Sequence, residues 1–503
     1  MSSVAYHQGR WRLFGTVLAV ALTLALPTLL NGVPFLYTDT ATYLAQGQQA
    51  WVTLVPSLAA SDPAPMPQAA EFAAAVSGGA KGALPAVVSG RSIYYGLVAY
   101  AAYAVGGGWP LVAVQALAVA WPLVLLVRAA SPASWPMIAV GASAFLAFLT
   151  PLGLFTGLLM PDIWVGAMIL ALASLVAVGP KLGWAARMGL LAIPAYAVTS
   201  HNSHLLLLLV LLLVAGIARL LAATLRNDLP TWLLGGVAAC AAAGFAAQAM
   251  FGLVIERAYG QPPISRPFLT AHLIELGPGQ AYVEAACGED GTAPGLTICR
   301  FADRLPMRWI PFLFEEDPEV GVFEASPDDV RRALAEEQSS FVLGTLRHDP
   351  LGTTVGLARE GIAQLWHLSV RDVAATTRRA GGNLGIYPDD LAAATRTSFV
   401  YRHPDLLTGL TRTTQVVSLL ASFGLVLVLT VLRLPRRHLV VLSLLLAGVV
   451  LNGLLCGALA SPYGRFQARV AWILPLAFVL LLSVRPYSSR LPLLPVSFKE
   501  PAL

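Results

Sequence analysis

The chain carries very little charge: only 12% of its 503 residues are Asp, Glu, Lys or Arg, and just three of its 32 basic residues are lysines. Soluble globular domains have about 25% charged residues. This shortage excludes a cytosolic enzyme, a disordered chain and a nucleic-acid-binding module, although the sequence pI is about 9.1. The sequence also lacks an internal repeat, a Walker-type phosphate loop and a His/Cys cluster with zinc-ligand spacing.

Apolar sequence takes the place of charge. Hydrophobic residues make up 57% of the chain, and the mean hydropathy is +0.70. Apolar runs of about 18 residues or more recur along it, which is the length needed to cross a bilayer. We therefore expect an all-α polytopic membrane protein, whose net charge of +5 comes from basic loops on one membrane face.

Ten runs are long enough to be counted as crossings. They cover 13–30, 109–127, 134–152, 163–179, 185–199, 204–219, 231–253, 412–432, 439–459 and 470–484. The first run follows a basic flank and has no small-residue cleavage site, so we expect a retained helix with its N-terminus in the cytoplasm.

The topology depends on the shorter apolar stretch from Ser92 to Val105. As a helix it would reach roughly 21 Å, against a hydrocarbon core of about 30 Å. If it crossed, the short loops with Arg128, Lys181 and Arg437 would move outside, against the positive-inside bias. We therefore expect a juxtamembrane or re-entrant helix beside the ten crossings.

This topology predicts three regions. Residues 1–254 form an N-terminal transmembrane module with a first periplasmic loop at 33–108, residues 255–411 form a large, mixed periplasmic loop region, and residues 412–503 hold the last transmembrane helices and a short cytoplasmic tail. The location expected is the inner membrane of a bacterium. The polar groups able to do chemistry then share the periplasmic face, which is itself mild support for the topology.

Two cysteines lie in the 255–411 region. Cys287 and Cys299 are twelve apart across a flexible glycine-rich span, and an oxidising periplasm favours a disulfide between them over two free thiols. Cys240 and Cys456 lie in apolar runs and are expected to behave as small hydrophobes. Further along, Ser326-Pro327-Asp328-Asp329 predicts a helix start, and 341–370 predicts amphipathic helices at the membrane interface.

Two acids stand at the outer ends of apolar runs. Asp39 follows the first run by a few residues, beside Tyr37 and Tyr43, where partial desolvation can raise a carboxyl pKa and suit it to act as a general base. The alternative is a helix N-cap at Asp39. Asp162 follows Pro161, and taken alone it is best explained as a carboxylate in the first turn of a helix.

Other candidates are histidines and arginines on the same face. His201 and His204 are three apart and can share a helical face, where lining a polar cavity is favoured over binding a metal. Arg91, followed by Tyr94, and Arg465 can hold a lipid phosphate through their guanidinium groups. Interfacial snorkelling is the alternative for both arginines. For Arg469 the two interpretations are balanced.

In order along the chain, these features resemble the GT-C class of polytopic glycosyltransferases that use polyprenyl-phosphate sugars. An acid with a Tyr four residues on follows the first helix (Asp39, Tyr43). A Gly-Arg-Ser-Ile-Tyr-Tyr-Gly-Leu run is similar to the Arg-Pro-Pro-Leu-Tyr of the family, and Met160-Pro161-Asp162 is similar to its Leu-Pro-Asp. A long outer loop and an Arg-bearing turn precede the last run. The match covers about the first 180 residues well and the remainder only in layout.

The resemblance implies a GT-C-like fold and site. Asp39 would be the catalytic acid/base, Asp162 a second acid beside it, and Arg91 a contact to the lipid phosphate. Tyr43, Tyr94, His201, His204 and Arg465 complete the predicted substrate site. The sequence departs from the family at Thr40, where a second acid is common, and at Ser92-Ile93, where the family has Pro-Pro.

The implied donor substrate is a polyprenyl-phosphate-linked sugar, and the implied partners are the lipid bilayer and a glycan, lipid or protein acceptor. Cofactor use stays open, with a divalent cation as one option. Two other classes compete: a transporter or flippase of lipid-linked glycans, and a membrane acyl- or phosphotransferase centred on His201 and His204. Transporters usually show inverted repeats and polar groups at the membrane midplane, which are not evident in this sequence.

Overall fold

The computed structural model describes residues 3–54, 87–288, 295–371, 373, 384–431 and 433–484. The proline-rich composition of 61–67 predicts a loop, and this stretch lies outside these residues. So does the basic tail with Arg485, Arg490 and Lys499.

Helices dominate the described chain. The first group comprises α1 Ser3–Asn31, α2 Thr38–Leu54, α3 Ile93–Gly106, α4 Trp109–Ala130, α5 Trp135–Leu149, α6 Leu152–Gly157, α7 Asp162–Val178, α8 Trp184–Ser200, α9 Asn202–Leu221 and α10 Thr231–Tyr259. The second comprises α11 Phe268–Leu276, α12 Pro278–Cys287, α13 Trp309–Phe314, α14 Asp328–Glu336, α15 Gln338–His348, α16 Pro350–Gln364, α17 Asp389–Thr397 and α18 Phe399–Arg402. The last comprises α19 Asp405–Val431, α20 Arg436–Ala460, α21 Gly464–Ala471 and α22 Ile473–Ser483.

Short elements complete the list. Short stretches of 3-10 helix cover Gly179–Lys181, Ala223–Arg226, Thr297–Arg304 and Leu384–Ile386. Two strands of two residues each, β1 Val88–Ser89 and β2 Ile264–Ser265, pair in parallel. They join the segment before α3 to the segment after α10. Apart from β2, the described elements of the 255–411 region are helical.

Eight stretches are long and apolar enough to cross a membrane. They are Trp11–Asn31, Trp109–Ala130, Asp162–Lys181, Asn202–Leu221, Thr231–Tyr259, Asp405–Val431, Arg436–Ala460 and Gly464–Ser483. The prediction of an all-α, multi-pass membrane protein is confirmed. The remaining two predicted crossings coincide with the shorter helices α5 and α8, so the count of ten stays a prediction.

The predicted helix start at Ser326 is close to the observed one. The helix α14 begins at Asp328, with Asp328 and Asp329 in its first turn, where carboxylates favour the positive end of the helix dipole. Ser326 does not cap it, because its hydroxyl donates to the carbonyl of Val322 at 2.5 Å.

A backbone bridge joins the end of α1 to the start of α7. The amide of Phe35 donates to the carbonyl of Gly157 at 2.9 Å, and the amide of Leu159 donates to the carbonyl of Phe35 at 3.0 Å. Phe35 therefore runs parallel to Leu158. Asp39 and Asp162 each follow their bridging residue by four positions, so the bridge brings the two acids to the same end of the helix bundle.

The helices α2 and α3 pack closely along each other. A Cβ atom built on Gly47 would lie 2.1 Å from the carbonyl oxygen of Gly96, so only glycine allows this approach. The indole of Trp51 adds a hydrogen bond of 2.8 Å to the carbonyl of Leu97. This contact fixes the start of α2 beside the segment that carries Arg91.

Both ends of α3 contact segments on the side of Asp39. At its start, the hydroxyl of Ser92 accepts from the amide of Tyr95 and donates to the carbonyl of Thr199, the residue next to the end of α8. Near its other end, the hydroxyl of Tyr103 donates to Asp390 in α17 at 2.8 Å. Gly107 ends the helix in the left-handed conformation, with φ 58°.

The 255–411 region has an apolar core of its own. Leu273, Phe312, Phe323 and Phe341 are fully buried in it. Cys287 and Cys299 lie in the same core and are joined by the predicted disulfide. Cys240 and Cys456 are free and buried.

Candidate functional site

The first pair of charged residues in the site is Asp39 and Arg91. Asp39 lies in the first turn of α2, and the guanidinium of Arg91 donates a hydrogen bond to its carboxylate. The two side chains are 22% and 20% exposed. Asp39 therefore lies within the first turn of a helix and not at its N-cap, while its role as a general base stays a prediction.

Arg465 lies between the two acids. Its Nη2 is 3.8 Å from Oδ2 of Asp39, and its Nε is 3.8 Å from Oδ1 of Asp162. Its guanidinium also stacks 4.0 Å from the ring centroid of Tyr37. One arginine from the C-terminal part of the chain therefore bridges two acids that are 123 positions apart in the sequence.

Arg469 completes the group one helical turn further along α21. Its Nη1 lies 3.7 Å from Oδ1 of Asp162. Its Nη2 donates to Asn452 at 3.0 Å and to the hydroxyl of Ser203 at 3.2 Å. Arg469 is only 2% exposed and its Nε has no hydrogen-bond partner among the described residues.

Together these five side chains form what we call the arginine–aspartate cluster: Asp39, Arg91, Asp162, Arg465 and Arg469. Three guanidinium groups face two carboxylates, so the cluster has one net positive charge. Exposure falls from about a fifth at Asp39 to 5% at Asp162. The cluster is thus open to solvent at one side, closed at the other, and suited to an anionic ligand.

The pKa of the Asp39 carboxyl is subject to opposing effects. Burial by itself would raise its pKa, but Arg91 and then Arg465 lower it, and the net result is a pKa below the ordinary value of 3.8. This is opposite in direction to the raised pKa that the sequence indicated, because the two arginines outweigh desolvation. Without a ligand, Asp39 is ionised at neutral pH.

His201 caps the start of α9. Its Nδ1 accepts a hydrogen bond from the amide of Ser203 at 3.2 Å and lies 2.9 Å from the Ser203 hydroxyl. Burial and the charge of Arg469 lower the His201 pKa to about 4, so the ring is neutral at neutral pH. The shared contact with Ser203 joins His201 to the buried side of the cluster.

His204 follows one turn later on the same face, with ring centroids 5.2 Å apart. Its Nδ1 lies 3.0 Å from the carbonyl of Ala197, and its Nε2 has no partner among the described residues. The histidine pair therefore lines the buried side of the site. No group of three or more His, Cys, Asp or Glu able to hold a metal ion occurs among the described residues.

The two predicted tyrosines differ in position. Tyr43 lies one turn after Asp39, is buried, and packs edge-on against Tyr95 with ring centroids 4.9 Å apart. Burial and the charge of Asp39 raise the Tyr43 pKa. Tyr94, in contrast, donates to the carbonyl of Ala247 at 2.7 Å, so its hydroxyl is directed toward α10 and is not part of the cluster.

A clamp on the backbone positions Arg465. The Gln364 side chain accepts from the amide of Tyr463 at 2.6 Å and donates to the carbonyl of the same residue at 2.9 Å. The Tyr463 hydroxyl lies 3.2 Å from that of Tyr37. The end of α16 therefore holds the loop that precedes Arg465.

Sequence reasoning missed several members of this site. Asn452 and Gln364 are neutral residues with no motif around them, and Ser203 is missed between the two predicted histidines. For Arg469 the sequence leaves the two interpretations balanced; its position four residues after Arg465 favours a shared helical face.

The comparisons with known proteins are negative. No family model matches the chain, and no curated protein or solved structure is significantly similar to it. The geometry of the cluster is therefore the basis for the functional proposal.

Proposed function

We propose that this chain is a GT-C-like membrane glycosyltransferase, which transfers a sugar from a polyprenyl-phosphate donor to an acceptor with inversion. The observation that carries the proposal is the bridge from Asp39 through Arg465 to Asp162, with distances of 3.8 Å on each side. It combines a carboxylate that can act as a base with guanidinium groups that can bind a phosphate.

In the reaction, Asp39 takes the proton of an acceptor hydroxyl. The hydroxyl oxygen then bonds to the anomeric carbon, and the bond from that carbon to the phosphate oxygen breaks. The phosphate leaves with the electron pair, stabilised by Arg91 and Arg465. Asp162 and Arg469 hold Arg465 from the buried side.

Donor binding would also activate the base. The phosphate competes with Asp39 for the guanidinium groups of Arg91 and Arg465. Once these groups turn to the phosphate, burial becomes the dominant influence on Asp39 and its pKa rises. Asp39 thereby becomes a stronger base only when the donor is present.

We propose ten crossings, with the site on the periplasmic face of a bacterial inner membrane. Support comes from Asp39 and Asp162, which meet at one end of the bundle and so require an even number of crossings between them. The 22-residue α4 accounts for one crossing. Since both ends of α3 contact segments beside Asp39, α5 is the better candidate for the second.

The test uses the purified full chain in nanodiscs and undecaprenyl phosphate as the probe, because a polyprenyl phosphate is the leaving group of the proposed reaction. Native mass spectrometry should show it bound to the wild type, and binding should fall in Arg91→Gln and Arg465→Gln variants. For the turnover assay, Asp39→Asn has a matched control in Asp329→Asn, which changes an exposed acid in α14.

Turnover is then followed with a radiolabelled polyprenyl-lipid extract of bacterial membranes. We expect Asp39→Asn to lower transfer by about 10²–10⁴-fold, the usual contribution of a general base. Full activity of Asp39→Asn would falsify its role. Loss of activity in a His201→Ala variant, with Asp39→Asn active, would instead favour the histidine-centred transferase.

A further inference from the structure

A cavity of about 440 Å³ opens at the end of the bundle opposite the arginine–aspartate cluster. It lies between α4, α7, α20 and α22. Its apolar wall is formed by buried side chains, including Leu126, Leu442, Leu445, Ala477 and Leu481. The volume is typical of a small-molecule site, and the wall offers no polar partner to a water-soluble ligand.

The rim of the cavity is basic. Arg128, Lys181 and Arg437 line it, and none of the described residues that line it is acidic. Asp228, outside the cavity, lies 3.6 Å from Arg437 and 3.2 Å from Arg436. Arg128 and Lys181 form no ion pair with any described residue, so the rim keeps a positive charge.

Two further features characterise the rim. The Nδ1 of His438 is buried and has no hydrogen-bond partner among the described residues. Trp135 lies near the rim, with Arg12 and Arg128 each 5.6 Å from its ring. Tryptophan and arginine together are typical of the headgroup level of a bilayer, which is where the phosphates of lipids lie.

We infer that this cavity binds an anionic phospholipid of the surrounding leaflet, with its phosphate at Arg128, Lys181 and His438 and an acyl chain between α4, α7, α20 and α22. The apolar wall excludes a soluble phosphate as the occupant. The cationic rim selects an anionic headgroup over a zwitterionic one. The site is separate from the proposed sugar-transfer site and does not depend on it.

The experiment measures lipid selectivity of the purified full chain by native mass spectrometry. The protein is incubated with equal amounts of phosphatidylglycerol and phosphatidylcholine of the same acyl chains. We expect the wild type to retain phosphatidylglycerol preferentially. Arg128→Gln with Lys181→Gln should reduce this preference by about 25-fold, since each basic residue near an anionic surface contributes about fivefold.

The matched control is Arg226→Gln with Arg433→Gln, which removes two exposed cations that do not line the cavity. It should leave the preference unchanged. Ala477→Phe, which narrows the apolar part of the cavity, should reduce the retention of both lipids. Added glycerol phosphate should not compete with either lipid for the wild type. Equal retention of the two lipids by the wild type, or equal losses in the rim and control variants, would overturn the inference.

Discussion

A Cβ atom built on Gly47 would lie 2.1 Å from the carbonyl oxygen of Gly96, so the backbones of α2 and α3 touch at these two residues. The contact holds Asp39, two turns before Gly47, against Arg91, just before α3. The pairing of base and cation in the proposed site thus depends on two residues that have no side chain.

Gly47→Ala tests this dependence. The added methyl group must push α2 away from α3, and such overpacking costs about 1–3 kcal/mol. We expect a lower melting temperature and a loss of transfer activity larger than the loss of folded protein. Gly141→Ala is the control, because nothing lies within 4 Å of a Cβ there, and it should melt like the wild type.

The pH dependence of Arg91→Gln tests the electrostatics of Asp39. In the folded wild type the Asp39 pKa lies below 3.8, the ordinary value of the unfolded chain. The ion pair with Arg91 therefore contributes its full stability at pH values above that ordinary pKa. This contribution is lost as pH falls through the lower pKa of the folded protein. Without Arg91, burial has less opposition and the pKa rises. The acid limb of kcat/KM should therefore move to higher pH. The control, Arg308→Gln at an exposed arginine, should leave the acid limb unmoved. An unmoved acid limb in Arg91→Gln would argue against assigning that limb to Asp39.

Arg465→Lys tests the bridge between the two acids. A single ammonium cannot reproduce the separate contacts of Nη2 with Asp39 and of Nε with Asp162. We expect kcat/KM to fall by about 10²-fold, comparable with loss of one transition-state donor. The same exchange at the exposed Arg396 should have no effect. Full activity of the Arg465→Lys variant would show that separate contacts to the two acids are unnecessary.

Reduction tests the bond between Cys287 and Cys299. Opening a native disulfide usually costs about 2–4 kcal/mol. Thermal melting of the full chain should therefore shift downward when dithiothreitol is added. In a Cys287→Ala/Cys299→Ala variant the reductant should have no effect, and a shift there would point to another reducible group.

The sequence predicted much of the site because its members start or end helices. Asp39 follows the first apolar run, Asp162 begins α7, His201 precedes α9 and Arg465 lies in the turn before the last run, so one topology places them all at one end. The Phe35–Leu158 bridge that aligns the acids could not be predicted, since nothing in either segment specifies its partner.

Two neighbouring residues on α3 show another limit of prediction from the sequence. Tyr94 and Tyr95 are the same residue type at adjacent positions, yet Tyr95 packs against Tyr43 and Tyr94 is directed toward α10. Which of two adjacent helical residues faces the site is set by tertiary packing. The early end of α5 at Leu149 has a local cause, because Pro151 disfavours helical backbone in the residue before it.

The Gln364 amide binds both the N–H and the carbonyl of Tyr463, much as a neighbouring strand would. The loop leading to Arg465 is therefore registered to α16 and cannot slide without breaking two hydrogen bonds at once. A displacement of α16 would therefore displace the Arg465 guanidinium as well, which couples the position of this helix to the geometry of the arginine–aspartate cluster.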